Sequence, residues 1–186
     1  KNINIYEEGC FSSKPVNVWG ISDKDLFKES ISVLNKNKSP FFAIIQTADN
    51  HRPFTIPNGD TDFVKKNIPE DTLQKYGFSS LDEYQAFCYS DYVFKYFIEN
   101  AKKQSWFDNT IFVFVGDHGI AGNCKGLFPD CWTNARLSDE HIALLFYAPK
   151  LLVPQWRHET VSQIDVLPTI AGMIHMPYTN TTLGRD

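Results

Sequence analysis

Residues 110–119 read TIFVFVGDHG, and this stretch decides the fold class. Its first six residues form a continuous apolar and β-branched run, which is typical of a strand buried on both faces. Similar runs occur at residues 41–46 and 141–147. Around these runs, apolar residues recur with helical spacing, most clearly in residues 24–34 and 81–103. Strands that alternate with helices predict an α/β fold, with a mostly parallel sheet and helices on both of its faces.

The end of the central run carries two residues that could do chemistry. Asp117 and His118 lie between Gly116 and Gly119, and two glycines let the backbone leave strand geometry so that both side chains can turn to one side. A carboxylate oxygen and an imidazole nitrogen suit Zn²⁺ or Mn²⁺. A bare Asp-His pair is more often an ordinary polar turn, so the pattern alone favours that interpretation over a metal site.

A second candidate segment, residues 47–54 (TADNHRPF), directly follows the run at residues 41–46. His51 beside Arg52 could orient an anionic ester or protonate a leaving oxygen, although a single histidine here is more often a surface residue. Ligands of α/β sheets bind beyond the carboxyl ends of the strands. We therefore expect Asp117 and His118 to point into one shallow site beside His51.

Composition excludes several function classes. The chain has 186 residues and a formal net charge of −4, and its Lys and Arg residues do not cluster, so no nucleic-acid partner is indicated. The longest uninterrupted apolar run, residues 142–149, is too short to cross a bilayer. Because the chain begins at Lys1 rather than at a Met, we interpret it as a piece of a longer protein, with room upstream for a targeting segment or a membrane anchor.

The cysteines leave a choice open. Four cysteines are too few for a disulfide scaffold. Cys124 and Cys131 bracket a short loop that a disulfide could close, and such a bond would indicate an oxidising compartment. Two unrelated cysteines in a polar loop fit the same spacing equally well.

Several motifs together resemble one family, the lipoteichoic acid synthase-like phosphoglycerol transferases in the sulfatase branch of the alkaline phosphatase superfamily. The similarity runs in the family's order over nearly the whole chain. It rests on WGISDKDLF (residues 19–27), the apolar run and NHRPF (41–56), WFDNT leading into VGDHG (106–119), the run at 141–149 and SQIDVLPT (162–169).

This resemblance implies that residues 1–186 are the C-terminal portion of one sulfatase-like catalytic domain whose N-terminal part is missing. Asp117 and His118 would be two ligands of a single catalytic divalent metal ion, Mn²⁺ or Zn²⁺. His51 would contact the phosphate or sulfate of the substrate and help the leaving or entering alcohol, with Arg52 beside it. The remaining ligands and the nucleophilic threonine lie upstream in the family, and no Thr or Ser of this chain stands in the matching Gly-x-x-Thr-Ser setting.

The function implied by the resemblance is a metal-dependent phosphoglycerol (phosphodiester) transferase or hydrolase acting on lipid head groups or cell-envelope glycans. Such an enzyme would work outside the cytoplasm, in the periplasm or at the cell surface, held by a membrane anchor upstream. That compartment favours the Cys124–Cys131 disulfide. The isolated chain is expected to be catalytically silent. The alternatives are a sulfatase acting on sulfate esters, a phosphoethanolamine transferase, and a non-catalytic binding domain that keeps the fold.

Overall fold

A computed structural model describes residues 3–119, 122–123 and 127–185 of the chain. The chain divides into two compact units, the first formed by Lys1–Phe107 and Ile120–Ser138 and the second by Asp108–Gly119 and Asp139–Asp186. The elements in chain order are α1 (Asp23–Leu34), α2 (Glu70–Lys75), α3 (Leu81–Ala101), β1 (Phe112–Val115), α4 (Asp130–Asn134), α5 (Leu137–Glu140), β2 (Leu144–Tyr147) and α6 (Val166–Met173). Short 3₁₀ turns lie at Phe107–Asn109 and Gln163–Asp165.

The two long helices of the first unit begin at side-chain caps. The Ser22 side chain accepts a hydrogen bond from the Asp25 backbone N–H and starts α1, while Ser80 accepts one from the Glu83 N–H and starts α3. Each cap satisfies a backbone donor that the helix itself leaves unpaired, and is worth about 1 kcal/mol. The helices predicted at residues 24–34 and 81–103 are confirmed to within two residues at each end.

Helices α1 and α3 pack together and form the core of the first unit. Phe27 of α1 is 3% exposed, and its ring stacks on that of Phe97 with the ring centroids 4.3 Å apart. Ile31 of α1 and Val93 of α3 are buried in the same core. Truncating a buried phenylalanine such as Phe27 to alanine would cost about 3–5 kcal/mol.

The strand predicted at residues 41–46 is wrong for the chain as described. No strand forms there, and Phe42 and Ile44 are 64% and 84% exposed. A strand buried on both faces needs a neighbouring strand to bond its backbone and further layers to cover its side chains. Both strands found among the described residues, Phe112–Val115 and Leu144–Tyr147, belong to the second unit, so no strand of the first unit pairs with this run.

The second unit contains a two-stranded antiparallel sheet, with Phe112 opposite Tyr147 and Val115 opposite Leu144. The predicted parallel arrangement is therefore not confirmed. The Gly119 N–H donates to the Asp139 carbonyl at 2.6 Å, which holds the two ends of the connection together at one end of the strand pair. Because the chain leaves β1 and approaches β2 at that same end, the strands run in opposite directions.

The closing helix of the second unit begins with a capping box. Ser162 and Asp165 exchange backbone-to-side-chain hydrogen bonds at the start of the Gln163–Asp165 turn, which leads directly into α6. Helix α6 therefore starts from a fixed cap. The short helices α4 and α5 have five and four residues, which are too few to show a helical period in the sequence. Across the described ranges, no helix has the length and apolarity that a membrane span requires.

Candidate functional site

Asp117 and His118 lie on the bend that directly follows β1. Their side chains turn to the same side, and His118 Nε2 lies 4.0 Å from Asp117 Oδ2. The His118 side chain is 69% exposed and the Asp117 side chain is 89% exposed. The His118 backbone N–H donates to Asp117 Oδ1 at 3.0 Å and fixes the carboxylate against its own turn. A nitrogen and an oxygen thus face the same small region of solvent.

A backbone contact sets the tautomer of the His118 ring. Nδ1 lies 2.8 Å from the Gly119 carbonyl oxygen, and a carbonyl can only accept, so Nδ1 carries the proton and Nε2 carries the lone pair of the neutral ring. The Gly119 carbonyl and, after it, the Asp117 carboxylate raise the pKa of His118, because both stabilise the imidazolium form.

The pair offers donor types that a divalent cation takes. Metal–nitrogen and metal–oxygen bonds to Zn²⁺ are about 2.0–2.2 Å long, so two ligands at the tetrahedral angle lie about 3.3–3.6 Å apart. The 4.0 Å between Nε2 and Oδ2 exceeds this spacing by about 0.5 Å, which small rotations of the two exposed side chains would close. Within residues 3–119, 122–123 and 127–185, no group of three or more His, Cys, Asp and Glu side chains is placed to hold a metal. A catalytic zinc site takes three protein ligands and an open position, so binding of a metal by Asp117 and His118 stays a prediction.

Gln163 bonds the backbone of the bend that carries Asp117 and His118, and no sequence pattern predicted this contact. Its Nε2 donates to the Gly116 carbonyl at 2.6 Å and to the Asp117 carbonyl at 3.1 Å. Its partners are backbone oxygens 47 and 46 positions earlier in the chain. In the sequence, the one indication that Gln163 matters is its position within the motif SQIDVLPT.

His51 and Arg52 belong to the first unit, where both residues contact Trp19. The His51 and Trp19 ring centroids are 4.3 Å apart, and the Trp19 indole N–H donates to the Arg52 carbonyl at 2.7 Å. The same carbonyl lies 3.0 Å from His51 Nδ1 and accepts a hydrogen bond from the N–H there. His51 therefore carries its lone pair on Nε2, on an exposed ring. Trp19 is the first residue of the motif WGISDKDLF, but nothing in the sequence indicates a role for it beside His51.

The buried carboxyl groups of Asp23 and Asp49 hold the segment that precedes His51 in the chain. Asp23 accepts from the Ala48 and Asp49 backbone N–H groups at 2.8 and 3.0 Å, and its own N–H donates to Asp49 Oδ2 at 2.7 Å. Burial, and then the charge of Asp23, raises the pKa of Asp49 to about 7. Burial also raises the pKa of Asp23, but its two backbone donors oppose that effect. Burial therefore favours the protonated form of Asp49 at pH values below about 7.

Asp60 anchors the loop that follows His51 to residues of helices α1 and α3. Lys24 Nζ lies 2.6 Å from Asp60 Oδ1, and the Tyr89 hydroxyl donates to the other carboxylate oxygen. Lys24 also donates to the Tyr92 hydroxyl at 3.1 Å. Residues of α1 and α3 thus anchor this loop through one carboxylate.

The predicted site residues fall in both units. His51 and Arg52 lie in the first and Asp117 and His118 in the second, so their meeting at one site stays a prediction. Cys131 is exposed in α4 and is a free thiol among the described residues. Its predicted partner Cys124 lies outside the described residues, and the disulfide also stays a prediction.

Comparison with known proteins places the chain in a family. The sulfatase family model matches residues 2–176. Lipoteichoic acid synthase 2 of Bacillus subtilis is 28% identical over 162 residues, and lipoteichoic acid synthase of Staphylococcus aureus is 30% identical over 164 residues. These matches cover 84% and 86% of this chain but only 24% of either relative, so the chain spans about a quarter of their length.

Solved structures give the same result for the fold. A protein of the alkaline phosphatase superfamily from Vibrio parahaemolyticus matches with a TM-score of 0.70 and 28% identity, over 96% of this chain and 40% of that one. The lipoteichoic acid synthase LtaP from Listeria monocytogenes matches with a TM-score of 0.72 and 21% identity, over 96% of this chain and 45% of that one. The alkaline phosphatase/sulfatase-like fold is therefore confirmed. The chain belongs to the sulfatase family and is related to the lipoteichoic acid synthases.

Proposed function

We propose that this chain carries part of the catalytic site of a metal-dependent phosphoglycerol (phosphodiester) transferase or hydrolase acting on lipid head groups or cell-envelope glycans. The observation that carries the proposal is the arrangement of His118 Nε2 and Asp117 Oδ2, 4.0 Å apart at the end of β1. The curated relatives support the substrate class, because they are named as synthases of lipoteichoic acid.

Asp117 and His118 would hold one Mn²⁺ or Zn²⁺ ion. When bound, such an ion neutralises negative charge on the reacting ester and on the attacking oxygen. Asp117 supplies negative charge to the site, while the Gly119 carbonyl keeps the proton on Nδ1 of His118, so that Nε2 remains a ligand. The nucleophile is proposed to lie outside these 186 residues.

His51 and Arg52 would handle the ester. The Arg52 guanidinium suits the oxygens of a phosphate, to which it can donate two parallel hydrogen bonds. His51 Nε2 can accept the proton of an entering alcohol and, once protonated, donate it to a leaving alcohol oxygen. The Arg52 carbonyl accepts a hydrogen bond from His51 Nδ1 and so favours the tautomer that this role requires.

A second candidate, sulfate ester hydrolysis, is favoured by the family model itself, which is that of the sulfatases. A phosphodiester and a sulfate monoester each place one negative charge on a tetrahedral centre. The same cation, imidazole and guanidinium would therefore bind either substrate, and these residues do not separate the two.

We place the full-length enzyme outside the cytoplasm, at the periplasm or cell surface, and anchored to the membrane. The relation to the lipoteichoic acid synthases supports this placement, and a lipid head-group substrate would require the enzyme to work at a bilayer surface.

Turnover assays on the full-length protein test the proposal. Vesicles containing a glycerophospholipid with a phosphoglycerol head group are incubated with the protein and Mn²⁺, in parallel with an aryl sulfate, and released diacylglycerol and sulfate are measured. Phosphodiester turnover without sulfate release is the expected result. Sulfate release alone would favour the sulfatase, and turnover of neither substrate would favour a non-catalytic binding domain.

A further inference from the structure

The amide group of Gln163 bonds two consecutive carbonyls of the bend that carries the metal pair. Its Nε2 lies 2.6 Å from the Gly116 oxygen and 3.1 Å from the Asp117 oxygen. A primary amide nitrogen has two hydrogens, so it can donate one to each carbonyl. The two carbonyls belong to the peptide groups on either side of the Asp117 Cα atom, and their orientations define both backbone dihedrals of Asp117. Gln163 therefore fixes the direction in which the Asp117 side chain leaves the backbone.

Gln163 is itself held by a hydrogen-bonded base. It is the first residue of the Gln163–Asp165 turn, and the neighbouring Ser162 N–H donates to Asp165 Oδ2 at 2.9 Å as part of the capping box. The other oxygen of Asp165 accepts from the Arg185 N–H at 2.7 Å. The amide therefore projects from a fixed point of the backbone rather than from a free loop.

We propose that Gln163 is a positioning residue for the metal site, which holds the Asp117 backbone so that Asp117 Oδ2 and His118 Nε2 meet the same ion. The inference rests on the proposed metal-binding role of Asp117 and His118. Groups that orient metal ligands from behind typically contribute 10- to 100-fold to metal affinity. A glutamate at this position would turn an acceptor toward two carbonyl oxygens, and a methionine would keep the length of the side chain but donate nothing.

The test measures metal binding rather than turnover. Mn²⁺ is titrated calorimetrically into the full-length protein and into its Gln163→Met, Gln163→Glu and Asp117→Ala variants, and the absorption spectrum with Co²⁺ is recorded. Gln155, an exposed glutamine of the same unit, supplies the matched controls Gln155→Met and Gln155→Glu. We expect both Gln163 variants to weaken Mn²⁺ binding about 10-fold or more and to alter the Co²⁺ spectrum. Both Gln155 variants should bind Mn²⁺ within about two-fold of wild type.

The Gln163→Glu variant sharpens the test, because its added negative charge would by itself strengthen cation binding. Weaker binding in that variant therefore supports positioning over a general electrostatic effect. Wild-type affinity and an unchanged Co²⁺ spectrum in both Gln163 variants, with binding lost in Asp117→Ala, would overturn the positioning role alone. Unchanged Mn²⁺ binding in Asp117→Ala would overturn the proposed metal site and the positioning role together.

Discussion

Asp23 and Asp49 exchange hydrogen bonds in both directions. The Asp23 N–H donates to Asp49 Oδ2 at 2.7 Å, and the Asp49 N–H donates to Asp23 Oδ2 at 3.0 Å. Both residues are 3% exposed. The pair joins the first turn of α1 to the segment that leads into His51, so that the helix start and the candidate substrate-binding residue share one hydrogen-bonded junction.

Removing the Asp23 carboxylate should destabilise the first unit. In Asp23→Ala, the half-buried N–H of Ala48 and the buried N–H of Asp49 lose their acceptor, and an unsatisfied buried donor costs about 1–3 kcal/mol. We expect the free energy of unfolding to fall by about 2–4 kcal/mol. Asp82→Ala is the matched control, because Asp82 is an exposed acidic residue in the first turn of α3. Denaturant titration of both variants measures the difference, and equal losses would contradict this role of Asp23.

The proton on Asp49 should make stability depend on pH. Burial raises its pKa from 3.8 to about 7, so between these pH values the folded chain keeps a proton that the unfolded chain has released. The stabilisation is fully present below pH 3.8 and is lost as the pH rises toward and through 7, with a slope of at most about 1.4 kcal/mol per pH unit. Asp49→Asn keeps the acceptor for the Asp23 N–H but cannot ionise, and should flatten this part of the curve. Identical pH profiles for the variant and the wild type would contradict the assignment.

Trp19 should affect turnover through His51. Trp19→Phe keeps an aromatic ring beside His51 but removes the N–H that donates to the Arg52 carbonyl. The loss of one hydrogen bond of about 0.5–1.5 kcal/mol corresponds to about a 2- to 12-fold fall in kcat/KM. Trp156→Phe, at a tryptophan 82% exposed in the second unit, is the control. Steady-state kinetics of the two variants in the full-length protein check this, and an unchanged rate in Trp19→Phe would remove Trp19 from the site.

Local signals predicted the helices well and the sheet poorly, for a physical reason. Ser22 and Ser80 bond N–H groups three positions onward, so the sequence around each cap contains everything that starts its helix. The apolar run at residues 41–46 needs a neighbouring strand, which local sequence cannot supply. The direction of β1 relative to β2 depends on the contact between Gly119 and Asp139, which lie far apart in the chain.

The sequence likewise predicted only some of the residues at the candidate site. Asp117 and His118 were identified because reactive side chains stood between two glycines after an apolar run. Trp19 and Gln163 act on backbone carbonyls 33 and 47 positions away. Any residue provides a carbonyl, so no side-chain pattern marks such a partner. Only the folded chain shows that these two side chains bond carbonyls next to the candidate histidines and carboxylate.

The central claim is that Asp117 and His118 hold the metal of a phosphodiester-cleaving site, and metal-restored turnover tests it most directly. The full-length protein is stripped with a chelator and assayed on phosphoglycerol lipid vesicles during Mn²⁺ titration. Asp117→Ala, His118→Ala and the control His158→Ala, at another exposed histidine of the second unit, are run beside it, together with the isolated 186-residue chain. We predict that Mn²⁺ restores turnover to the wild type and His158→Ala, and to neither site variant nor the isolated chain. The unfolding temperatures of the full-length proteins, measured without metal, should stay equal, because bound Mn²⁺ would itself raise them. Full turnover by the stripped protein, or by Asp117→Ala and His118→Ala, would contradict the account.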